Sequence, residues 1–147
     1  MTTRSISHLI IGFGKAGKTL AADLAKHGES VILVEQSAAM YGGTCINIGC
    51  IPSKLLLVEG EKSARLTDKS AAFQAAMQRR EQLTSALRAA NYNKLATIPG
   101  VEILTGTARF LSPNVVEVST EDGACQIEAE RIYINTGARP ATLALEG

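Results

Sequence analysis

Two cysteines, Cys45 and Cys50, carry the strongest chemical signal in the 147-residue sequence, within the stretch GGTCINIGCIPSK at 42–54. On a regular helix, residues five apart are separated by about 7.5 Å of rise and lie on different faces. A disulfide needs Cα atoms within about 4.4–6.8 Å. If the sulfurs pair, the helix between them must be irregular, and Gly49 and Pro52 permit a distortion there. Such a bond would be strained and accessible, of the labile or catalytic kind. Gly42, Gly43 and Thr44 predict a tight backbone approach followed by a helix N-terminus, whose partial positive charge lowers a thiol's pKa. The alternative on these residues alone is a pair of unpaired cysteines on a loop. Zinc is disfavoured, because C-x4-C lies outside the usual ligand spacings and no nearby His or further Cys completes a set.

A second constellation comes earlier. Gly12, Gly14 and Gly17 stand in G-x-G-x-x-G spacing after the apolar run Ile6–Ile11, which reads as a buried parallel strand. Ala16, Leu20, Ala21, Leu24 and Ala25 then share one helical face, Lys18, Asp23 and Lys26 face water, and Gly28 ends the helix. Val31–Val34 predicts a second strand that closes on Glu35. Strand, glycine turn, helix, strand and terminal acid form the dinucleotide-binding βαβ unit. In it Gly12 makes the sharp turn, Gly14 admits a pyrophosphate, Gly17 lets the helix sit on the sheet, and Glu35 accepts from a ribose hydroxyl. The same letters, Gly12–Thr19, also fit a P-loop NTPase, with Lys18 on phosphate and Thr19 on magnesium. No later apolar strand ends in an Asp to hold the magnesium, and that reading gives the cysteine motif no purpose. Otherwise Lys18 and Thr19 belong to an exposed helix turn.

The remaining elements must position these two groups. Residues 52–65 read as a helix interrupted at Gly60, and 70–93 as a longer one burying Phe73, Met77, Leu83, Leu87 and Ala90. The two are expected to form an antiparallel pair over the nucleotide unit, with Arg79 and Arg80 on a solvated face. After Pro99 and Gly100 the texture turns to short β segments at 101–105, 108–111 and 115–119, then a hairpin turn at Glu121–Gly123. A strand with Ile127 and Cys125, a small apolar filler, precedes a last strand at 131–135. That strand ends in Thr136, Gly137 and Ala138, at the carboxyl edge where ligands of open α/β sheets bind. The fold class expected is α/β, a Rossmann-like unit with a helical pair and a β-meander at about 101–135. Neither His8 nor His27 is assigned an acid–base role.

Composition sets the outer bounds. With 46% apolar and 20% charged residues the chain is an ordinary globular domain, and a net charge of +1 offers no field for nucleic acid or an anionic membrane. Three cysteines are too few for a secreted disulfide scaffold, and no stretch reads as a signal peptide or membrane span, so a reducing cytoplasm is expected.

The motif GGTCINIGCIPSK is similar to the redox-active signature of the class I pyridine nucleotide-disulfide oxidoreductases, the flavoprotein family of dihydrolipoamide dehydrogenase, glutathione reductase and mercuric reductase. IGFGKAGKTLA, EQSAAMYGGTCINIGC and YINTGA most resemble its mercuric reductase-like, reactive-chlorine-resistance subgroup. The resemblance implies FAD as the bound dinucleotide. Gly12, Gly14, Lys15, Ala16 and Gly17 then hold its pyrophosphate, and Glu35 its adenosine ribose. Gly43, Thr44 and Cys45 line the flavin side, and Lys54 approaches the flavin ring. Ala108, Thr136, Gly137 and Ala138 touch the cofactor by their backbone, simple sheet packing being the alternative for Ala108 and Thr136. It further implies an enzyme in which electrons pass from NAD(P)H to FAD, to a Cys45–Cys50 disulfide and on to a small-molecule or metal-ion substrate. Cys50 would be the flavin-side sulfur and Cys45 the interchange thiol. The resemblance covers the N-terminal third of a family member. The nicotinamide domain, the returning FAD segment and the interface domain, with its partner-supplied His and its homodimer, lie beyond it. Complete turnover is therefore not expected of these 147 residues alone, for which a stand-alone dinucleotide-binding or redox-sensing module is the alternative.

Overall fold

The structure is a computed structural model that describes residues 3–139, 141–142 and 145. Among these residues six strands form one sheet: β1 (Thr3–Ile11), β2 (Val31–Glu35), β3 (Val101–Thr105), β4 (Thr107–Phe110), β5 (Val115–Thr120) and β6 (Gly123–Ile134). Their order is β3-β2-β1-β6-β5-β4, the first four parallel and the last pairs antiparallel. The helices are α1 (Lys15–Lys26), α2 (Thr44–Asn47), α3 (Cys50–Ser63) and α4 (Lys69–Ala96).

β2 and the carboxyl half of β1 are buried on both faces, which is why Leu9–Ile11 and Val31–Val34 are apolar without a break. Leu9, Ile32 and Val34 point into one core, shared with Val116, Val118, Ile127 and Ala129. Ile10, Val31 and Leu33 point into the other, shared with Phe13, Ala21 and Leu95. The antiparallel segment thus covers one face of the parallel strands while α1 and the end of α4 cover the opposite face. Each fully buried Leu, Ile or Phe contributes about 1.5–3 kcal/mol.

The meander expected over 101–135 is divided differently. β3 leaves it, pairing parallel with β2 from Val31↔Val101 to Glu35↔Thr105. The two last segments are one 12-residue strand. β6 pairs antiparallel with β5 through its first half and parallel with β1 from Thr3↔Gln126 to Ile11↔Ile134. Its exposed Glu128, Glu130 and Arg131 interrupt the apolar pattern without interrupting the strand.

The helices also depart from expectation. α3 continues through Gly60, which is exposed; one glycine costs about 1 kcal/mol, too little to end a 14-residue helix. α4 buries Ala76, Thr84 and Leu95, whereas Phe73 is 61% and Leu83 38% exposed and Ala90 is exposed. Met77 and Leu87 are half-buried. Arg79 does not simply face solvent: it forms an ion pair with Glu59 of α3. In α1, Ala16 is exposed and the side facing the sheet is built on Gly17 and Ala21. Gly28, at φ 84°, ends that helix as expected. No described helix is long and apolar enough to cross a membrane.

Candidate functional site

The carboxyl ends of β1, β2 and β6 meet at the glycine turn. Gly12 has φ 113°, and a Cβ there would stand 2.2 Å from the Asn135 carbonyl oxygen. A Cβ on Gly17 would lie 2.3 Å from the Gly12 carbonyl oxygen, so the helix seats on the turn only because Gly17 has no side chain, and the Asn135 backbone closes on the turn only because Gly12 has none. Asn135 ties the ends together: its N–H donates to the Ile11 carbonyl at 2.8 Å and its Nδ2 to the Gly12 carbonyl at 3.1 Å. Sequence reasoning passed over Asn135; the only signal was its place just before Thr136-Gly137-Ala138.

Gly14 is the N-cap of α1, with no side-chain cap and no acid in the first turn. The first intrahelical bond runs from the Lys18 N–H to the Gly14 carbonyl, so the N–H groups of Lys15, Ala16 and Gly17 precede the helical ladder. That uncapped terminus of a 12-residue helix, above a floor without Cβ atoms, fits a dinucleotide pyrophosphate. Glu35 ends β2 beside it and accepts from the Phe13 N–H at 2.8 Å and the Ser37 N–H at 3.3 Å. The carboxylate therefore fixes the glycine turn itself.

The cysteine loop lies directly against this turn. A Cβ on Gly43, at φ 85°, would fall 2.7 Å from the Gly14 Cα. α2 begins at Thr44 and stops at Asn47, and α3 begins at Cys50. Between them the N–H groups of Ile48 and Gly49 both donate to the Thr44 carbonyl, at 2.9 and 2.8 Å. The Gly49 bond spans five residues, a π-type turn that carries position 50 back toward position 45. Gly49, at φ −99° and ψ −100°, makes the expected irregularity, and Pro52 sits buried in the first turn of α3, where its missing N–H costs no intrahelical bond.

Both cysteines are exposed, and no bond joins their sulfurs in the structure. The lowered Cys45 pKa expected of a helix N-terminus is corrected: the thiol is pushed up. Its hydrogen bond with Cys50 is the largest cause, then desolvation and the charge of Cys50, against the lowering pull of Lys18 and Lys54.

Asn47 and Tyr41 brace the loop with two residues of α4, Arg88 and Tyr92, none singled out by the sequence reading. Asn47 Nδ2 donates to the carbonyls of Tyr41 at 3.1 Å and Gly43 at 2.9 Å, and its Oδ1 accepts from Arg88 Nη1 at 3.3 Å. The Tyr41 ring packs between Phe13 of the glycine turn at 5.3 Å and Tyr92 of α4 at 4.8 Å. Polar residues on α4 and an aromatic in a loop show no periodic signal that would reveal these contacts in advance.

The other expected residues divide. The Thr136 N–H lies 3.3 Å from where a Gly12 Cβ would be, placing that backbone at the turn, with Gly137 and Ala138 exposed beyond it. Lys54 is exposed on α3 within electrostatic reach of Cys45. Ala108 packs against the core between sheet and meander, although its strand starts beside Glu35, whose carbonyl accepts from Gly106 at 2.9 Å. Lys18 is not in water: it is half-buried and bonded to Asn91 and Gly42, and Thr19 Oγ1 donates to Lys15 O, so neither side chain is presented as a P-loop requires. Among the described residues no group of three or more His, Cys, Asp or Glu could hold a metal ion.

Residues 6–147 match the family described as pyridine nucleotide-disulphide oxidoreductase. Over 139 residues the chain is 45% identical to the Escherichia coli (strain K12) "Probable pyridine nucleotide-disulfide oxidoreductase RclA", covering 95% of this chain and 30% of that protein. It is 36% identical to the mercuric reductase of Streptomyces lividans, covering 94% of this chain and 31% of that one. Among solved structures, the Cu(II) complex of the HOCl-induced flavoprotein disulfide reductase RclA from Escherichia coli superposes with a TM-score of 0.88 at 43% identity, over 98% of this chain and 31% of the other. The chain thus spans about a third of the length of these relatives.

Proposed function

The chain belongs to the pyridine nucleotide-disulphide oxidoreductase family, and on that footing we propose that it forms the FAD-binding, redox-dithiol portion of an NAD(P)H-dependent flavoprotein that reduces a disulfide or a metal ion. One observation carries the reading: the loop that holds Cys45 and Cys50 rests on the phosphate turn through Gly43 and Gly14, with no side chain between them. The domain is the N-terminal part of a larger FAD domain, and the whole protein is a homodimer of the cytoplasm.

In this reading Gly12, Gly14, Lys15, Ala16 and Gly17 hold the FAD pyrophosphate through backbone donors, and Glu35 takes the adenosine ribose while keeping the turn in shape. Gly43, Thr44 and Lys54 border the flavin, and the backbones of Thr136, Gly137, Ala138 and Ala108 complete the cofactor wall. Bound flavin would supply two-electron exchange between a reduced nicotinamide and the sulfur pair. The thiols do the rest: the Cys45 thiolate attacks a sulfur of the substrate disulfide and expels the other as a thiol, forming a mixed disulfide. Cys50 then attacks Cys45, releasing the second substrate thiol and closing the Cys45–Cys50 bond, so two electrons leave the pair as the bond forms. A metal-ion substrate would take those two electrons in place of the disulfide, one Hg(II) accepting both or two Cu(II) ions accepting one each. Relatives named mercuric reductase, and the Cu(II) complex of a flavoprotein disulfide reductase, support that second class of acceptor.

The test is flavin uptake by the chain itself. FAD titrated into the protein is expected to show saturable fluorescence quenching that Gly43→Ala abolishes, and mild oxidation is expected to yield an intramolecular Cys45–Cys50 bond by mass spectrometry. Absence of both saturable binding and that bond overturns the reading.

A further inference from the structure

All three glycines of the phosphate turn face one residue at the end of β6. A Cβ on Gly12 would meet the Asn135 carbonyl oxygen at 2.2 Å, one on Gly14 the Asn135 Nδ2 at 3.1 Å, and one on Gly17 the same nitrogen at 2.7 Å. The Asn135 amide therefore fills the space that the G-x-G-x-x-G spacing leaves open.

Both the backbone and the side chain of Asn135 are tied. Its N–H donates to the Ile11 carbonyl at 2.8 Å, and its Nδ2 donates to the Gly12 carbonyl at 3.1 Å. Among the described residues no other group donates to the Gly12 carbonyl. The ladder of α1 opens with the Lys18 N–H on the Gly14 carbonyl, which leaves the N–H groups of Lys15, Ala16 and Gly17 for an anion. A carbonyl oxygen and a phosphate oxygen are rivals for such donors. The Gly12 carbonyl already lies against that first turn, 2.3 Å from where a Gly17 Cβ would stand. Freed of Asn135, it would be an acceptor in want of a donor beside the very N–H groups that a phosphate needs.

Resting on the function proposed above, we infer that Asn135 is a positioning residue for the FAD pyrophosphate: by occupying the Gly12 carbonyl, its amide keeps the first-turn N–H groups of α1 free for the phosphates. A mere tie between β1 and β6 would show the same contacts without acting on phosphate binding, so the test must read the phosphate.

FAD, and ADP as a carrier of the diphosphate without flavin, are titrated into the chain and its variants by calorimetry. Asn135→Ala is expected to bind both about fivefold more weakly, the ratio that loss of one hydrogen bond gives. Asn135→Asp keeps the shape but sets an anion beside the Gly12 carbonyl and the phosphates, and about a tenfold loss is expected near pH 8. As pH falls toward about 4 the carboxyl protonates and again offers a donor, so the gap between parent and variant should close. Lys15, Lys18 and Glu35 are common to both proteins, and the ratio of their affinities removes the titration of those groups. A purely structural tie would lower the urea midpoint of both variants, leave the affinity of folded protein unmoved and show no rescue in acid. Folded variants that bind ADP as the parent does, or an Asn135→Asp loss that is the same at every pH, overturn the inference. If Asn135→Ala does not fold, the pH profile of Asn135→Asp decides alone. A parent that binds ADP but not FAD counts against the proposed function, with ADP still testing Asn135; a parent that binds neither overturns both.

Discussion

Gly43 and Gly14 lie back to back: the position a Cβ would take on Gly43 is 2.7 Å from the Gly14 Cα, and Gly43 holds φ 85°. The phosphate turn and the cysteine loop can approach this closely only with no side chain on Gly43; a Cβ on Gly14 would turn instead toward the Asn135 amide, 3.1 Å away. Gly43→Ala meets a backbone clash and left-handed strain together, a cost of about 2–4 kcal/mol. Urea denaturation should show that loss, and residual folded protein should have lost flavin affinity.

Cys50 is the main reason the Cys45 thiol is pushed up, so removing its sulfur should act in the opposite direction. Cys50→Ala is expected to lower the Cys45 pKa, with Lys18 and Lys54 then the remaining charges on it. Alkylation of Cys45 at neutral pH should accelerate relative to the parent, read by peptide mass spectrometry. An unchanged or slower rate would show that the two sulfurs do not share a proton in solution.

Arg4 of β1 and Glu102 of β3 form an ion pair, each about 40% exposed at 40% and 42%. The hydrogen bond from Arg4 holds the Glu102 carboxyl below its ordinary range, more than its desolvation raises it. A depressed carboxyl adds stability that is present above the unfolded-state pKa and lost as pH falls through the folded one. Solvent exposure keeps the gain below about 1 kcal/mol. Glu102→Gln should therefore be slightly less stable than the parent at neutral pH, the difference closing in acid below the carboxyl range.

How far the sequence foretold all this depends on the kind of interaction. Gly12, Gly14 and Gly17, with the strands around them, were legible because backbone sterics act locally and leave a fixed spacing. The irregular turn at Gly49 was legible because a glycine and a proline mark it. The buried side of α4 was not: Phe73 obeys the expected spacing yet is exposed, since the helix meets its neighbours through Ala76, Thr84 and Leu95. Phe73→Glu is accordingly expected to change stability by no more than about 0.5 kcal/mol, whereas a core phenylalanine would cost several times that. Tertiary braces such as Asn135 and Arg88 depend on elements 41 to 123 residues away and leave no local pattern.

Asn47 offers the sharpest check on the loop. Its amide closes the chain on itself through the Tyr41 and Gly43 carbonyls, and Arg88 fixes which way that amide points. Asn47→Ala removes two donors and takes the acceptor of Arg88 Nη1 away while its Nη2 keeps Glu81, at about 1–2 kcal/mol of local stability. Because the loop sets the approach of Cys45 and Cys50, part of that loss should surface in the dithiol–disulfide equilibrium. With glutathione as the redox buffer, the Cys45–Cys50 bond should become about fivefold less favoured, 1 kcal/mol being close to that ratio. Global unfolding should change less than amide exchange at Gly43 and Thr44. If the glutathione equilibrium is unmoved, the loop is held in place by Tyr41 between Phe13 and Tyr92, and Asn47 contributes nothing to the sulfur geometry.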